Sequence, residues 1–329
     1  MKRRRVISMA GGVTLGAALP ALAQAKVWRI GVVYSILSKD YNGDPSLRDA
    51  LRELGYEEGR NIAYERRFTE GGDWQHGGNR LSSLFADLVE KRVDLILTFD
   101  DRQTVVAKVA SSTVPIVTLY SDAPVEIGLV KSLSRPGGNI TGVTTAGTES
   151  AQKSLQLLRD TVPTVKHLGV LMDPNYSVAY LYRQAYRQAA EDMGCKLTIL
   201  WSHTSAALAA SLASIVEDHV EGFFVSGAGV VFPNRSRIIE FAALYRLPAM
   251  YSLAQYVMDG GLISRNPDEA ERIRRVAAII DRVFKGEKPA NIPVEQPTKF
   301  VVTINLKTAR AMGLKIPQSV LLQATEVIE

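Results

Sequence analysis

From residue 28 onward, short apolar runs alternate with longer amphipathic segments, and this alternation constrains the fold more than any other feature of the sequence. In the segment 45–55, for example, Leu47, Ala50, Leu51 and Leu54 recur at the spacing of one helical face. Apolar runs between such segments are typical of strands in a parallel sheet. One series of expected strands comprises 28–34, 61–67, 93–99 and 114–120, and a second comprises 166–173, 196–200, 222–227 and 247–252.

Strands that are separated by helices form right-handed βαβ units. Two series of them predict an α/β protein with two doubly wound parallel-sheet lobes. The segments that join and follow the two series predict a helix at 125–134, a strand at 139–145, a strand at 262–266, a long helix at 267–289, a strand at 299–305 and a final helix at 317–328.

The first 25 residues have the layout of a cleavable export signal. Four basic residues, 2–5, precede an apolar stretch, and both 21–23 and 23–25 fit an A-x-A cleavage rule. The apolar stretch is broken by Gly and Pro and is too short to span a membrane. The arginines followed by Val6 and Ile7 resemble a twin-arginine signal, although an ordinary Sec signal would explain them as well. In either case we expect a periplasmic protein.

Charge and cysteine content narrow the classes of partner. Most of the net charge of +5 comes from the four basic residues of the expected signal, a segment that contains no acid. The rest of the chain is nearly neutral, which gives no support for a nucleic-acid partner. Cys195 is the only cysteine, so we expect no internal disulfide and no lipid anchor at the cleavage site. We therefore expect a free monomer without direct membrane insertion.

Residues that would support catalysis are missing from the sequence pattern. His76, His167, His203 and His219 form no metal-binding spacing, and no G-x-S-x-G nucleophile motif occurs. Cys195 lies in an expected helix-to-strand turn, where a buried inert thiol is the favoured interpretation. We expect neither an enzyme nor a cofactor or metal.

Several sequence blocks, in this order, resemble the ABC-transporter substrate-binding proteins of the family that includes tryptophan-binding proteins. The resemblance is strongest over 51–68, 114–144 and 281–328, which contain LRELGYEEGRNIAYERRF, SRPGGN and EQPTKF. It implies a type I periplasmic binding fold, in which two α/β lobes joined by three crossovers close on a small solute. It also implies a membrane permease and an ATPase as partners.

Combined with the strand series, the resemblance predicts how the chain divides between the lobes. After the export signal (1–25), we expect 26–146 plus 252–288 in the N-terminal lobe and 147–251 plus 289–329 in the C-terminal lobe. The crossovers are then expected near 144–150, 251–254 and 288–298.

Ligands of open parallel sheets bind beyond the carboxyl ends of the strands. Two facing lobes therefore place these ends along a common cleft. The expected ligand-binding residues are Ser35, Phe99, Asp100, Ser121, Asp122, Thr145, Asn175, Tyr176, Ser226 and Tyr251.

These residue types suit a solute that resembles an amino acid, including an aromatic one. Hydroxyls and backbone N–H groups can hold a carboxylate, a carboxylate can pair with an ammonium, and aromatic rings can enclose a side chain. Structural explanations stay open, because Ser121 and Asp122, or one of Asp100 and Asp101, would also serve as helix caps. The pair Asp100-Asp101 departs from the Gly-Thr-Pro usual in the family at this place, and it could signal a cationic group on the ligand.

The expected function is capture of a small organic molecule for an ABC importer. A periplasmic sensor that presents its ligand to a membrane signalling protein would have the same sequence features. A DNA-binding regulator shares the two-lobe fold, but we expect no DNA-binding segment before Trp28, and the expected export signal contradicts that role.

Overall fold

A computed structural model of the protein describes residues 26–34, 45–69, 78–227 and 229–329. The expected export signal and Ser35 lie outside the described residues. The elements of the first part are β1 (Trp28–Tyr34), α1 (Pro45–Glu53), β2 (Ile62–Phe68), α2 (Gly78–Glu90), β3 (Leu95–Thr98), α3 (Asp101–Ala110), β4 (Ile116–Ser121) and β5 (Ile140–Thr144).

The second part contains a longer series of elements. They are α4 (Gly147–Thr161), β6 (His167–Met172), α5 (Ala179–Asp192), β7 (Lys196–Trp201), α6 (Ser205–Glu217), β8 (Gly222–Val225), α7 (Arg235–Leu244), β9 (Ala249–Tyr251), α8 (Ala254–Met258), β10 (Ile263–Pro267), α9 (Glu269–Phe284), β11 (Phe300–Asn305), α10 (Leu306–Met312), α11 (Gln318–Leu321) and β12 (Glu326–Ile328).

Two sheets form the centres of two lobes, which confirms the expected fold class. The first sheet has the order β2-β1-β3-β4-β5 and is parallel throughout. The second has the order β12-β11-β10-β9-β8-β6-β7 and is parallel except between β10 and β11. Residues of central strands such as Ile30, Leu97, Val170 and Phe223 are at most 2% exposed, because helices cover both faces of each sheet.

The strand expected at 262–266 belongs to the second lobe, so the expected assignment of 252–288 to the first lobe is wrong in its first part. β10 pairs in parallel with β9 and antiparallel with β11. The connection from β9 through α8 is about a dozen residues long, the size of a crossover within one sheet. Only α9 then packs on the first lobe, against α1, β4 and β5. The second crossover therefore lies at Pro267–Asp268 and not at 251–254.

Two expected helices are replaced by other structure. Over 125–134 the chain forms consecutive turns, in which Leu129 N and Val130 N both donate to Pro124 O, and Gly128 has φ of 70°. A residue in the left-handed conformation cannot continue an α-helix. The helical spacing of the apolar residues in this segment therefore led to a wrong prediction. At the C-terminus the helix ends at Leu321, and Glu326–Ile328 adds the edge strand β12.

The crossovers run side by side between the lobes. Glu295 N donates to Gly142 O at 2.9 Å, and Thr144 N donates to Glu295 O at 2.8 Å. Asp268 N donates to Lys299 O at 3.0 Å, which joins the second crossover to the third. This bundle of three strands holds the carboxyl edges of both sheets near one another.

Candidate functional site

Three aromatic rings lie where the first three strands of the first lobe end. The ring of Tyr34 is 5.6 Å from that of Phe68 and 5.3 Å from that of Phe99, measured between centroids. Tyr34 is buried, whereas Phe68 and Phe99 are partly exposed. We call Tyr34, Phe68 and Phe99 the aromatic trio. Phe68 is not among the residues expected from the sequence, because none was chosen from the end of the second strand, which was expected at 61–67.

The two acids that follow β3 have structural roles. Asp100 caps α3, with its Oδ1 accepting from Gln103 N at 2.7 Å, which confirms the capping explanation for one of the pair. Asp101 is buried and accepts from Ser121 Oγ and, at 3.0 Å, from Asp122 N. Burial raises the pKa of both carboxyls. Ser121 is fully buried, and its hydroxyl donates a hydrogen bond to Asp101. Its side chain therefore supports Asp101 and does not face the cleft.

Asp122 is the carboxylate that connects the two lobes. Its Oδ1 accepts from Thr145 Oγ1 at the first crossover, and its Oδ2 accepts from the hydroxyl of Tyr176 in the second lobe. The hydroxyl of Tyr182 on α5 bonds to it as well. Burial raises the pKa of Asp122 to about 7, with the nearby charge of Asp101 acting in the same direction and the bonds from Thr145 and Tyr182 opposing it. The structure thus brings together three of the expected site residues, Asp122, Thr145 and Tyr176.

On the second lobe, the expectation is wrong for Tyr251, whereas Asn175 lies at the expected strand end and its binding role stays a prediction. Tyr251 is fully buried and stacks on Tyr256 at 4.7 Å, so its side chain belongs to the core of the lobe and not to the cleft. Asn175 is exposed in the turn after β6, where its backbone N donates to Asp173 Oδ1 at 2.8 Å.

Ser226 and Ser252 follow β8 and β9 directly. Ser226 N donates to Leu171 O at 3.0 Å and Ser252 N to Val225 O at 3.1 Å, so both serines continue the ladder of the second sheet. Their hydroxyl oxygens are buried from solvent and have no hydrogen-bond partner among the described residues. Ser226 was expected from the sequence and Ser252 was not, because the strand-end rule selected its neighbour Tyr251.

Arg265 on β10 is a further polar residue that the sequence reasoning missed. Its guanidinium is half-buried, donates from Nη1 to Ser150 Oγ at 3.0 Å and lies 3.8 Å above the ring of Phe300. Burial lowers its pKa. The sequence shows the arginine itself, but its place at the cleft depends on the pairing of β10 with β9.

The described part of the chain contains no cluster of three or more His, Cys, Asp or Glu residues arranged to hold a metal. Nor does any helix in the ranges described combine the length and the apolar character that crossing a membrane requires.

Comparisons with known proteins agree with this architecture. Residues 33–328 match the family model described as ABC transporter substrate binding protein. A tyrosine-binding protein of Clostridioides difficile (strain R20291) is 24% identical over 269 residues, which are 81% of this chain and 75% of that protein.

Two solved structures are similar over nearly the whole chain. The ABC domain from Streptococcus pneumoniae in complex with L-Trp has a TM-score of 0.77 at 25% identity and covers 92% of this chain and 100% of that one. A conserved domain protein of Vibrio cholerae has a TM-score of 0.80 at 23% identity with the same coverage, which is a likeness of fold. Together with the sheet topology, these likenesses confirm the type I periplasmic binding fold.

Proposed function

The chain belongs to the ABC transporter substrate-binding protein family, and from this premise we propose that it is the solute-binding component of an ABC importer with an aromatic amino acid as its ligand. The observation that carries the ligand class is the position of the aromatic trio at the carboxyl edge of the sheet that also presents Asp122. Rings favour an aromatic side chain, and a carboxylate favours an ammonium. The tyrosine-binding relative and the neighbour in complex with L-Trp support the same class.

The electrostatics of Asp122 support an ammonium at this place. Burial and two neighbouring acids make its ionised form costly, as its raised pKa shows. A cation beside Asp122 would relieve this cost, whereas a neutral sugar would leave it in place.

Closure of the two lobes follows from the same geometry. Tyr176 of the second lobe bonds to Asp122 of the first, so a ligand at Asp122 contacts both lobes at once. Contacts that exist only when the lobes are together shift the population towards the closed state. In the proposed function the closed protein delivers its ligand in the periplasm to a membrane permease, and the partner ATPase supplies the energy.

Calorimetry on residues 26–329 tests the ligand class. Titrations with L-tryptophan, L-tyrosine and L-phenylalanine are expected to give one site per chain, and titrations with L-alanine, glucose and adenosine are expected to give much weaker binding or none. Recovery of the ligand unchanged would separate binding from catalysis. Binding of glucose or adenosine alone would refute the aromatic amino acid.

A second experiment separates import from sensing. Deletion of the neighbouring permease is expected to abolish uptake of the ligand. If uptake continued and a ligand-dependent response were lost with this protein, the sensor role would replace the importer role.

A further inference from the structure

Three neighbouring strands of the second lobe present polar side chains side by side. In register, Val225 of β8 pairs with Tyr251 of β9, and Tyr251 pairs with Ser264 of β10. One residue further along each strand, Ser226, Ser252 and Arg265 therefore follow one another across the carboxyl edge of the sheet. We call these three residues the serine–arginine row.

The two serines of the row have unused hydrogen-bonding capacity. Their hydroxyl oxygens are shielded from solvent, and neither has a partner in the part of the chain that the structure describes. A buried hydroxyl without a partner is costly, and native proteins rarely keep one without a use for it. Each hydroxyl can donate one hydrogen bond to an oxygen acceptor.

Arg265 adds a positive charge that lacks a counter-ion in the part of the chain that the structure describes. Among the described residues no carboxylate lies within ion-pair distance of its guanidinium, whose one side-chain hydrogen bond goes to Ser150. The acid whose charge raises its pKa is Glu149, which is exposed and bonded to Lys153 at 2.6 Å. A guanidinium has five N–H donors in a fork that matches a carboxylate. Most of this capacity is thus available at the edge of the sheet.

The two sides of the cleft differ in charge. The first lobe presents Asp122 next to Asp101, and these two acids would repel the carboxylate of a ligand. The first turn of α4 connects the two sides, because Ser150 bonds to Arg265 while a Cβ on Gly147 would lie 3.0 Å from the Cβ of Asp122. The acidic group and the basic one are therefore both attached to the same helical turn, one on each side of the cleft. Two groups of opposite charge suit the two charged groups of a zwitterion.

We infer that the serine–arginine row binds the carboxylate of the ligand, with Arg265 as the ionic partner and Ser226 and Ser252 as hydroxyl donors. The inference rests on the proposed function and adds the orientation of the ligand. Its ammonium points to Asp122 of the first lobe and its carboxylate to the second. The row then selects α-amino acids over the corresponding decarboxylated amines.

A comparison of two ligands on matched variants tests this orientation. Affinities for L-tryptophan and for tryptamine, which lacks the carboxylate, are measured by calorimetry on the wild type, Arg265→Gln and Arg265→Lys. Arg265→Gln is expected to weaken L-tryptophan binding by roughly 10- to 100-fold, because a charge-assisted bond is lost, and to change tryptamine binding by less than about twofold. Arg265→Lys is expected to fall between the two, since a lysine keeps the charge but loses the fork.

Arg235→Gln is the matched control. Arg235 also lies over a phenyl ring of the second lobe, that of Phe232, but it already pairs with Asp259 at 2.6 Å. Its replacement is expected to leave the affinity for L-tryptophan within about twofold of the wild type, as is usual for a surface ion pair away from the ligand.

The serines give an independent readout. Ser226→Ala and Ser252→Ala each remove a hydroxyl that has no partner among the described residues, so the melting temperature of the ligand-free protein is expected to stay the same or rise. Affinity for L-tryptophan is expected to fall roughly tenfold in each variant. A fall in melting temperature with unchanged affinity would show that the serines serve the fold instead.

The outcomes separate this inference from the proposed function. If the wild type binds L-tryptophan but the arginine and serine variants bind it equally well, the row does not hold the carboxylate and the proposed function stands. If Arg265→Gln weakens L-tryptophan and tryptamine equally, Arg265 acts by supporting the hinge through Ser150, and the inference is overturned. If the wild type binds none of the aromatic amino acids, the proposed function fails and the inference fails with it.

Discussion

Asp122→Asn is the substitution whose effect can be worked out most fully from the structure. With a pKa of about 7 in the ligand-free protein, Asp122 is about nine-tenths ionised at pH 8 and about one-tenth ionised at pH 6. An ammonium binds to the ionised form, and the ammonium of a free amino acid stays protonated over this range. The affinity of the wild type for L-tryptophan is therefore expected to fall about tenfold between pH 8 and pH 6.

Asparagine keeps the size and the acceptor oxygen but does not titrate. Asp122→Asn is expected to bind L-tryptophan with an affinity that is low and flat between pH 6 and pH 8, at or below that of the wild type at pH 6. Calorimetry at constant ionic strength measures both profiles. The variant retains all four histidines of the chain, so a slope that persisted in Asp122→Asn would come from another group and would refute the assignment.

Stability supplies a second readout with a definite sign. The folded-state pKa of Asp122 lies above its ordinary value, so its contribution to stability is present at low pH and is lost as the pH rises through about 7. Without ligand, Asp122→Asn is expected to melt at a higher temperature than the wild type at pH 8, with a smaller difference at pH 5. A variant that is less stable at pH 8 than at pH 5, relative to the wild type, would contradict this reasoning.

Three further substitutions test the site and its frame. Phe68→Leu is expected to weaken L-tryptophan binding roughly tenfold in calorimetry, because the ring contact is lost. It is expected to cost only about 1 kcal/mol of stability, because the new apolar side chain has a similar volume. An affinity equal to that of the wild type would show that the aromatic trio is not part of the site. Asp268→Ala, which deletes the cap of α9 at the second crossover, is expected to cost about 1 kcal/mol in urea unfolding, and Asp268→Ser much less; equal losses would exclude capping. Gly142 has φ of 145°, and a Cβ added there would collide with Thr118 O, so Gly142→Ala is expected to cost on the order of 3 kcal/mol of folding stability in urea unfolding. Gly138→Ala is the control, because a Cβ added at Gly138 meets no atom within 4 Å and is expected to leave the stability unchanged.

The fold class followed from local periodicity because each βα unit repeats the same pattern of apolar residues. The pairing of β10 was missed for the opposite reason. Strands of this length look alike in sequence, and the choice of partner depends on the length of the preceding connection and on contacts with residues far along the chain. Gly128, by contrast, is visible in the sequence, but the sequence shows neither its left-handed φ nor the two hydrogen bonds that Pro124 O accepts.

The candidate site shows how one residue decides a side chain's direction. Successive residues of a strand face opposite sides, so an error of one position moves a side chain from the edge into the core. Tyr251 was expected at the cleft and lies in the core, while the next residue, Ser252, continues the row of polar groups. Phe99 and Asp122 were found because they follow their strands without ambiguity.

The most direct test of the central claim is a crystal structure of residues 26–329 with L-tryptophan. We expect the ligand between the lobes, with the indole against Phe68 and Phe99, the ammonium at Asp122 and the carboxylate on Arg265. Density for L-tryptophan outside the cleft, or a ligand whose carboxylate faces Asp122, would contradict it.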